Sequence, residues 1–408
     1  MTANTAPGGN RPPVLKMRSK KRPTIRHRIE YLLFRGFEFL INRISLETAF
    51  KAGEFIGRLS FRFHKGLREK LMFNLRRAYG SEKSDSELLE LSADVFERNG
   101  ANFLTSLRVP FLDNDELEKH LIFEGLDQFL QHVEQRGVVL VLPHMGNWEL
   151  LAQGMFLIEG DINIGTHYRP LNNSLIDQIV GRRRKRRGLR LFAKHDSTHR
   201  LTSFVRDGGA LAILADQRVG RRGSAGTFFG RPTTLSPLPH LVAKRAKAQL
   251  IALHCETIGH CQWKVQFRPI EEKTAQACAS SLEEAWRQSP SDVFWFEDRW
   301  RLKSNKSFEF LTKYPEDHKV TRPLRLVCLD TDPPALEIVD GLLTIERSPF
   351  NFHRSDKEIR EDLAEFSRSG RVPVDAFCCP ARFVPMLKNL SDKILVISGG
   401  DHLDSRNS

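Results

Sequence analysis

Several protein classes are excluded by what this sequence lacks. No stretch offers the ~18 uninterrupted apolar residues of a membrane-spanning helix. The opening run, Met1 to Pro13, is polar and has neither the apolar core nor the cleavage site of a signal peptide. Cysteine is sparse, six in 408 residues. Cys255, Cys261, Cys278, Cys328, Cys378 and Cys379 follow no small-secreted spacing, so they read as reduced thiols in a cytosol-facing protein. The pairs His254-Cys255 and His260-Cys261 match no usual zinc-ligand pattern, and no metal is expected. A Gly-x-Ser-x-Gly elbow is also missing, which removes the common serine-hydrolase arrangement.

Phenylalanine, by contrast, is abundant: 28, against four tyrosines and five tryptophans. Much of it lies in amphipathic stretches, where it serves a core, lipid or an acyl chain. The net charge of +13 implies an anionic partner, whether nucleic acid, a phospholipid surface, a phosphorylated glycolipid or an acidic carrier protein. Nucleic acid is the remote alternative, because the basic residues are not interleaved with exposed aromatics and no known binding motif occurs.

The chain divides into three parts. Residues 1–24 read as a disordered basic N-terminus, ending in Lys16, Arg18, Lys20, Lys21 and Arg22. Residues 25–310 form the main domain. After a charged linker, Lys303 to His318, residues 320–408 read as a small α/β appendage of unknown function. The main domain opens with a helical pattern from Ile29 to Ile44, with Glu30, Arg35, Glu38 and Arg43 on one side and Leu33, Phe37, Leu40, Ile41 and Ile44 on the other. Two readings stand for it: a helix lying in the interface of an anionic membrane, or a core helix at the domain edge.

Helices continue to about residue 135, after which strands and helices alternate. Strands are expected over Gly137–Leu142, Ile162–Tyr168 and Leu211–Ala215, a basic helix over Ser174–Arg187, and a hairpin turning near Gly259. The fold class is α/β, a mixed sheet flanked by helices. In the appendage, strands are expected over Leu324–Leu329 and Lys393–Ser398, and a helix over Asp356–Phe366 with a Ser355/Glu358 capping box. Asp330 and Asp332 read as solvated turn residues.

Four stretches carry chemistry. The first is a buried-strand run ending in Pro143-His144, with Glu149 five residues on, past Gly146-Asn147. Histidine at the carboxyl end of a strand suits a general base. The second, His167 to Asn173, contains Arg169 at a strand end. The third is Asp216-Gln217-Arg218, followed by the run from Gly226 through Phe228-Phe229-Gly230 to Thr234; the fourth runs from Pro290 to Trp300.

Together, in this order and spacing, they resemble the late acyltransferases of bacterial lipid A synthesis, the lauroyl/myristoyl transferase family. That family also includes the mycobacterial acyltransferases of phosphatidylinositol mannosides. The resemblance covers about residues 29 to 305, with the Arg76/Arg77 region after Asn74-Leu75. It implies a glycerolipid-acyltransferase-like fold with N-terminal membrane-contacting helices, on the cytoplasmic face of the inner membrane. It also implies transfer of an acyl chain from a thioester, on acyl carrier protein or coenzyme A, to a hydroxyl of an anionic membrane glycolipid, foremost a lipid A precursor. No cofactor beyond the thioester co-substrate is expected. A different glycolipid or an aminolipid is the alternative acceptor.

In that chemistry His144 removes the hydroxyl proton, and Glu149 or Asp216 orients it. Arg169 serves either the oxyanion or a phosphate. No serine or cysteine takes the motif position, so direct transfer is expected. Asn147, Asn173 and Gln217 join the substrate-binding set. Arg182 and Arg184, within the run Gly181 to Arg187, read either as a solvated face or as a clamp for phosphates or an acidic carrier. Phe228, Phe229 and Gly230 read either as an acyl-tunnel lining or as a tight turn over core phenylalanines.

Overall fold

The computed structural model describes residues 23–302 apart from 81, 159–161, 187 and 221, and then 310–311, 314–315, 320–329, 331, 341–348, 358, 374–390 and 394–398. Most of the expected disordered N-terminus and of the linker, the helix over 356–366 with its capping box apart from Glu358, and Asp330 and Asp332 lie outside the described residues.

Four helices lead the chain: α1 (Ile25–Ile41), α2 (Leu46–Phe63), α3 (Lys65–Tyr79) and α4 (Asp85–Arg108). Each of α1, α2 and α4 begins where a hydroxyl takes up an otherwise unpaired first-turn N–H. Thr24 caps α1, Ser45 caps α2, and Ser84 forms a capping box with Glu87 on α4. α2 and α4 meet backbone to backbone: a Cβ on Gly53, Gly57 or Gly100 would collide with the facing helix.

α1 is inverted relative to an ordinary surface helix. Glu38 is only 2% exposed and pairs with Arg35 and with Arg183, whereas Leu33 is 69% exposed, beside the exposed Leu32, Phe37, Phe39 and Leu40. The helix is amphipathic as expected, but only Ile41 of the apolar side is buried, and the core takes a glutamate instead. Phe55, Ile56, Leu59 and Phe63 of α2 are exposed as well. Among the described residues no helix is long and apolar enough to cross a membrane.

The sheet then builds from α5 (Asn114–Glu118), β1 (Leu121–Glu124), α6 (Leu126–Gln135), β2 (Val138–Leu142), α7 (Trp148–Gly154), β3 (Ile164–Tyr168), α8 (Ser174–Arg186), β4 (Arg190–Ala193), α9 (Thr198–Arg206) and β5 (Ala210–Leu214). After it come a separate hairpin, β6 (Ser224–Phe228) and β7 (Arg231–Leu235), then α10 (Leu238–Ala246), β8 (Gln249–Gly259), β9 (Gln262–Ile270) and α11 (Ala275–Gln288). The seven-stranded order is β1-β9-β8-β2-β5-β3-β4. β8, β2, β5, β3 and β4 run parallel, so their carboxyl ends share one rim, and β9 turns back antiparallel to β8. The expected strands form within a few residues of their bounds; β1, β4 and the β6–β7 hairpin carry no clear sequence signal, being short or weakly apolar.

Every residue of β2 is buried, as a central parallel strand requires. Its alternate side chains feed two cores. Val139 and Val141 join Phe228, Phe229, Trp286, Trp295 and Trp300 on one face. Leu140 and Leu142 join Leu150, Leu151 and Met155 of the α7 region on the other.

A second, parallel sheet lies C-terminal, in the order β11-β10-β12-β13, from β10 (Leu324–Leu329), β11 (Leu343–Ser348), β12 (Ala376–Cys379) and β13 (Leu395–Ser398). Ions tie it to α3 and to the β6–β7 hairpin. Asp375, 2% exposed, accepts from Arg77 Nε at 3.2 Å and also pairs with Arg231 of β7; both arginines are fully enclosed. The Arg325 N–H donates to the same carboxylate at 2.9 Å. Removing one partner of a buried pair strands the other charge and costs about 3–5 kcal/mol. Asp375→Ala is accordingly expected to lose stability of about that size, read as a fall in the urea midpoint; an unchanged midpoint would show that the arginines find another counter-ion.

Candidate active site

His144 follows β2 and Asp216 follows β5, neighbouring strands in register at Leu142 and Leu214. One carboxylate holds the histidine twice: His144 Nδ1–H donates to Oδ1 at 2.6 Å, and the His144 backbone N–H to Oδ2 at 2.6 Å. With Nδ1 so engaged, Nε2 carries the lone pair. Of the two carboxylates proposed to orient His144, it is therefore Asp216 that touches it.

Glu149 is directed elsewhere. It pairs with Arg184, whose Nε donates to Oε2 at 3.2 Å while Nη2 reaches Oε1. The imidazole keeps 18% of its side-chain surface exposed and meets the edge of Trp148, ring centroids 5.7 Å apart.

Electrostatics favour a protonatable His144. Burial alone pushes its pKa down, but the charge and hydrogen bond of Asp216, with a smaller pull from Glu297, leave it raised. Arg299 stands behind Asp216: it is 3% exposed and donates to Thr233 Oγ1 at 3.1 Å and to the Thr234 carbonyl at 3.2 Å. Burial lowers the Arg299 pKa to about 10, partly offset by Asp216.

The loop carrying His144 is strapped from the side. Phe294 N–H donates to the His144 carbonyl and Gly146 N–H to the Asp292 carbonyl, both at 2.9 Å. Gly146 adopts φ +56°, and a Cβ there would strike the Cys255 carbonyl.

Beside this loop a partly open apolar cavity lies between α7 and the sheet. Leu140, Leu142 and Leu214 line its sheet side, Trp148, Ala152 and Met155 its helix side, and Tyr168 and Arg184 its polar rim. It is on the opposite face from Phe228 and Phe229, which are 1% exposed and pack on Trp286, Trp295 and Trp300, while the Gly230 carbonyl accepts from Thr321 and Arg322. Those three residues do not line this cavity; the aromatic pair is core.

Asn173, expected to bind substrate, is buried: its amide donates to the His27 carbonyl at 2.8 Å and to Glu30 at 3.1 Å, docking α1. Asn147 is buried too. It caps α7 through Leu150 N–H, donates to Thr105 Oγ1 at 3.1 Å, and lines a smaller cavity between α4 and the start of α7.

In the basic helix α8, Arg183 and Arg184 are bound to Glu38 and Glu149, whereas Arg182 and Lys185 are exposed. Arg169 and Gln217 are exposed at the strand-end rim, past β3 and β5. The sequence singles out the stretch holding Asp292, Glu297 and Arg299 without giving any of them a role. An acidic residue inside an otherwise aromatic run is the available signal.

The raised pKa has a measurable sign. A His144 imidazole followed by NMR should titrate above the ordinary value of about 6.5, so that its free base forms only at higher pH. Asp216→Asn removes the raising partner and leaves the burial, so the midpoint should drop below that of the wild type; an unmoved midpoint would count against the pairing.

Comparison with known proteins gives this geometry its relatives. The sequence profile of the bacterial lipid A biosynthesis acyltransferase family matches residues 18–302. The chain is similar to a phosphatidylinositol mannoside acyltransferase of Mycobacterium tuberculosis, 25% identical over 246 residues, 57% of this chain and 77% of the relative. It is also similar to a lipid A biosynthesis acyltransferase of Haemophilus influenzae, 26% identical over 188 residues, 44% of this chain and 58% of the relative. A profile that spans well over half of the chain, strand-end histidine included, identifies this protein as an acyltransferase belonging to the bacterial lipid A biosynthesis acyltransferase family.

Proposed function

We propose that this enzyme moves a fatty acyl chain from a thioester, on acyl carrier protein or coenzyme A, to a hydroxyl of a membrane glycolipid, a lipid A precursor being the first candidate. The observation that carries the reading is a histidine, held by a buried aspartate, beside a cavity whose lining is mostly apolar, as an acyl chain requires. His144 Nε2 accepts the hydroxyl proton as the oxygen attacks the thioester carbonyl. The tetrahedral oxyanion then collapses, and the thiolate leaves and takes up that proton. Asp216 stabilises the imidazolium in between. Arg169, exposed on the rim, is left to serve the oxyanion or a phosphate of either substrate.

Placement follows the surface. The apolar outward face of α1 and the exposed phenylalanines of α2 suit a monotopic contact with the cytoplasmic leaflet of the inner membrane, and the basic residues suit its anionic headgroups. Exposed Arg182 and Lys185 offer charge to an acidic carrier or a glycolipid phosphate. The core is proposed to be of glycerolipid-acyltransferase type, with the C-terminal sheet an appendage of undefined role joined to it through Asp375. A mannosylated phosphatidylinositol is the second acceptor, because relatives bearing the two names match at similar identity, 25% and 26%.

The test is an acyl-transfer assay in mixed micelles, read by mass spectrometry, with both donors and both acceptors. Wild type should add one acyl group to one acceptor, and folded His144→Ala should add none. Activity retained in that variant would remove His144 as the base.

Ala152 on the cavity wall supplies a second check. Ala152→Phe should lower kcat/KM for the longest accepted donor at least about tenfold while sparing shorter ones, since single methylenes in apolar pockets already discriminate to that degree. An unchanged chain-length profile would place the acyl chain elsewhere.

A further inference from the structure

Asp292 touches neither the imidazole nor either cavity, yet it lies where three elements meet the His144 loop. Its carboxylate is fully enclosed and accepts four hydrogen bonds. Oδ1 receives Asn102 Nδ2–H of α4 at 3.0 Å and the Thr257 hydroxyl of β8 at 2.6 Å. Oδ2 receives the Thr257 backbone N–H at 2.7 Å and the Ser289 hydroxyl at 2.8 Å. The opposite side of Asn102 is also fixed, its Oδ1 accepting Trp263 Nε1–H at 2.8 Å.

The same residue's main chain holds the catalytic loop. Asp292 carbonyl to Gly146 N–H, the Met145/Val293 bridge and His144 carbonyl to Phe294 N–H make a short antiparallel ladder. Two further amides pin the strap: Asn99 donates to the carbonyls of Ser291 and Val293, and Asn74 to those of Trp295 and Glu297.

We propose that Asp292 is a positioning residue for acyl transfer: its buried carboxylate locks the strap 290–297 onto α4 and β8, and the strap sets where the His144 ring stands. Asp216 fixes the ring's tautomer and one edge; the strap fixes the other side of the loop, against which Asp216 alone has no purchase. The arrangement has mechanical logic. The loop turns through a left-handed glycine, so its path is sensitive to what packs against it. Four donors on one enclosed carboxylate leave the strap a single arrangement, because any displacement leaves a buried charge short of partners.

The inference rests on the acyl-transfer reading, and its test separates the two. Asp292→Asn replaces an acceptor-only group by one that must also donate, so one amide hydrogen faces a donor. The double variant Asn102→Asp with Asp292→Asn restores a complete set, because the carboxylate placed at position 102 then accepts from both Trp263 and the new amide. Turnover should fall roughly 10- to 100-fold in Asp292→Asn, with KM for donor and acceptor within about twofold, the loss expected of a reacting group misplaced by about 1 Å. The double variant should recover kcat to within a few-fold of wild type.

Folded Asp292→Asn with wild-type kcat overturns the proposal, as does a folded double variant no faster than the single one. Should neither variant fold, Ser289→Ala, which removes only one donor from a half-buried position, decides: a several-fold loss of kcat at constant KM supports the role, and no loss overturns it. Wild-type protein that transfers no acyl group refutes the acyl-transfer reading instead. The positioning role is then read from the His144 ring nitrogen resonances, which should shift or broaden in Asp292→Asn and stay unchanged if the strap does not set the ring.

Discussion

One aspartate accepts two hydrogen bonds from His144, one from the ring and one from the backbone, and both depend on strand register. Leu142 and Leu214 are partners across β2 and β5, and His144 and Asp216 each stand two residues further on. The ladder persists past the strand ends, since Ala215 N–H still donates to the Leu142 carbonyl at 2.9 Å. A slip of one residue would turn every side chain of β2 to the wrong core and carry His144 away from Asp216. The apolar burial of β2 on both faces makes that slip costly, so packing energy specifies the geometry of the site. Charge follows the same plan: Asp216 interacts both with His144, whose pKa it raises, and with Arg299, an enclosed cation hydrogen-bonded to neutral threonine oxygens.

Around this pair the ion pairs do structural tasks that their sequence context does not advertise. Arg184, which lines the apolar cavity, pairs with Glu149 and so joins α8 to α7. Its neighbour Arg183 holds Glu38 and so joins α8 to α1. The second contact explains the inverted helix. Once a glutamate is committed to the protein side, the leucines and phenylalanines of α1 are directed outward, where water disfavours them. The proposed membrane contact gives that face an apolar partner, so the buried pair and the exposed apolar stripe are two consequences of one orientation.

The strand-end histidine is legible because a β-branched run with no polar interruption has few fates other than a central strand, and a central parallel strand delivers its next residues to the ligand rim. Asp216 is legible by the same logic, but the choice between it and Glu149 is not. Spacing within a loop-helix junction does not say which way the first turn of α7 faces, and here it faces α8. Asn173 looks open to substrate in the sequence because polarity suggests exposure. Its partners, His27 and Glu30, lie over 140 residues earlier in the chain, beyond any local pattern. Phe228 and Phe229, which read either as a tunnel lining or as core, lie in the aromatic core, a choice the sequence leaves open because apolar side chains alone do not distinguish a packed core from a cavity wall. Only the sheet face decides that.

The family profile ends at residue 302, but the electrostatic unit does not. Arg77 sits on α3 and Arg231 on β7, both in the part of the chain the profile covers, and the carboxylate they share is Asp375. A boundary drawn near residue 310 therefore runs through a buried ion cluster. Two enclosed guanidiniums without that aspartate would be left as uncompensated buried charges, which is strongly destabilising. β7 also carries Thr233 and Thr234, the hydrogen-bond partners of Arg299, and Arg299 is the cation behind Asp216. A short set of contacts thus leads from the C-terminal sheet through β7 to the histidine's partner. Whatever else that sheet does, this chain's acyltransferase core is built to keep it attached.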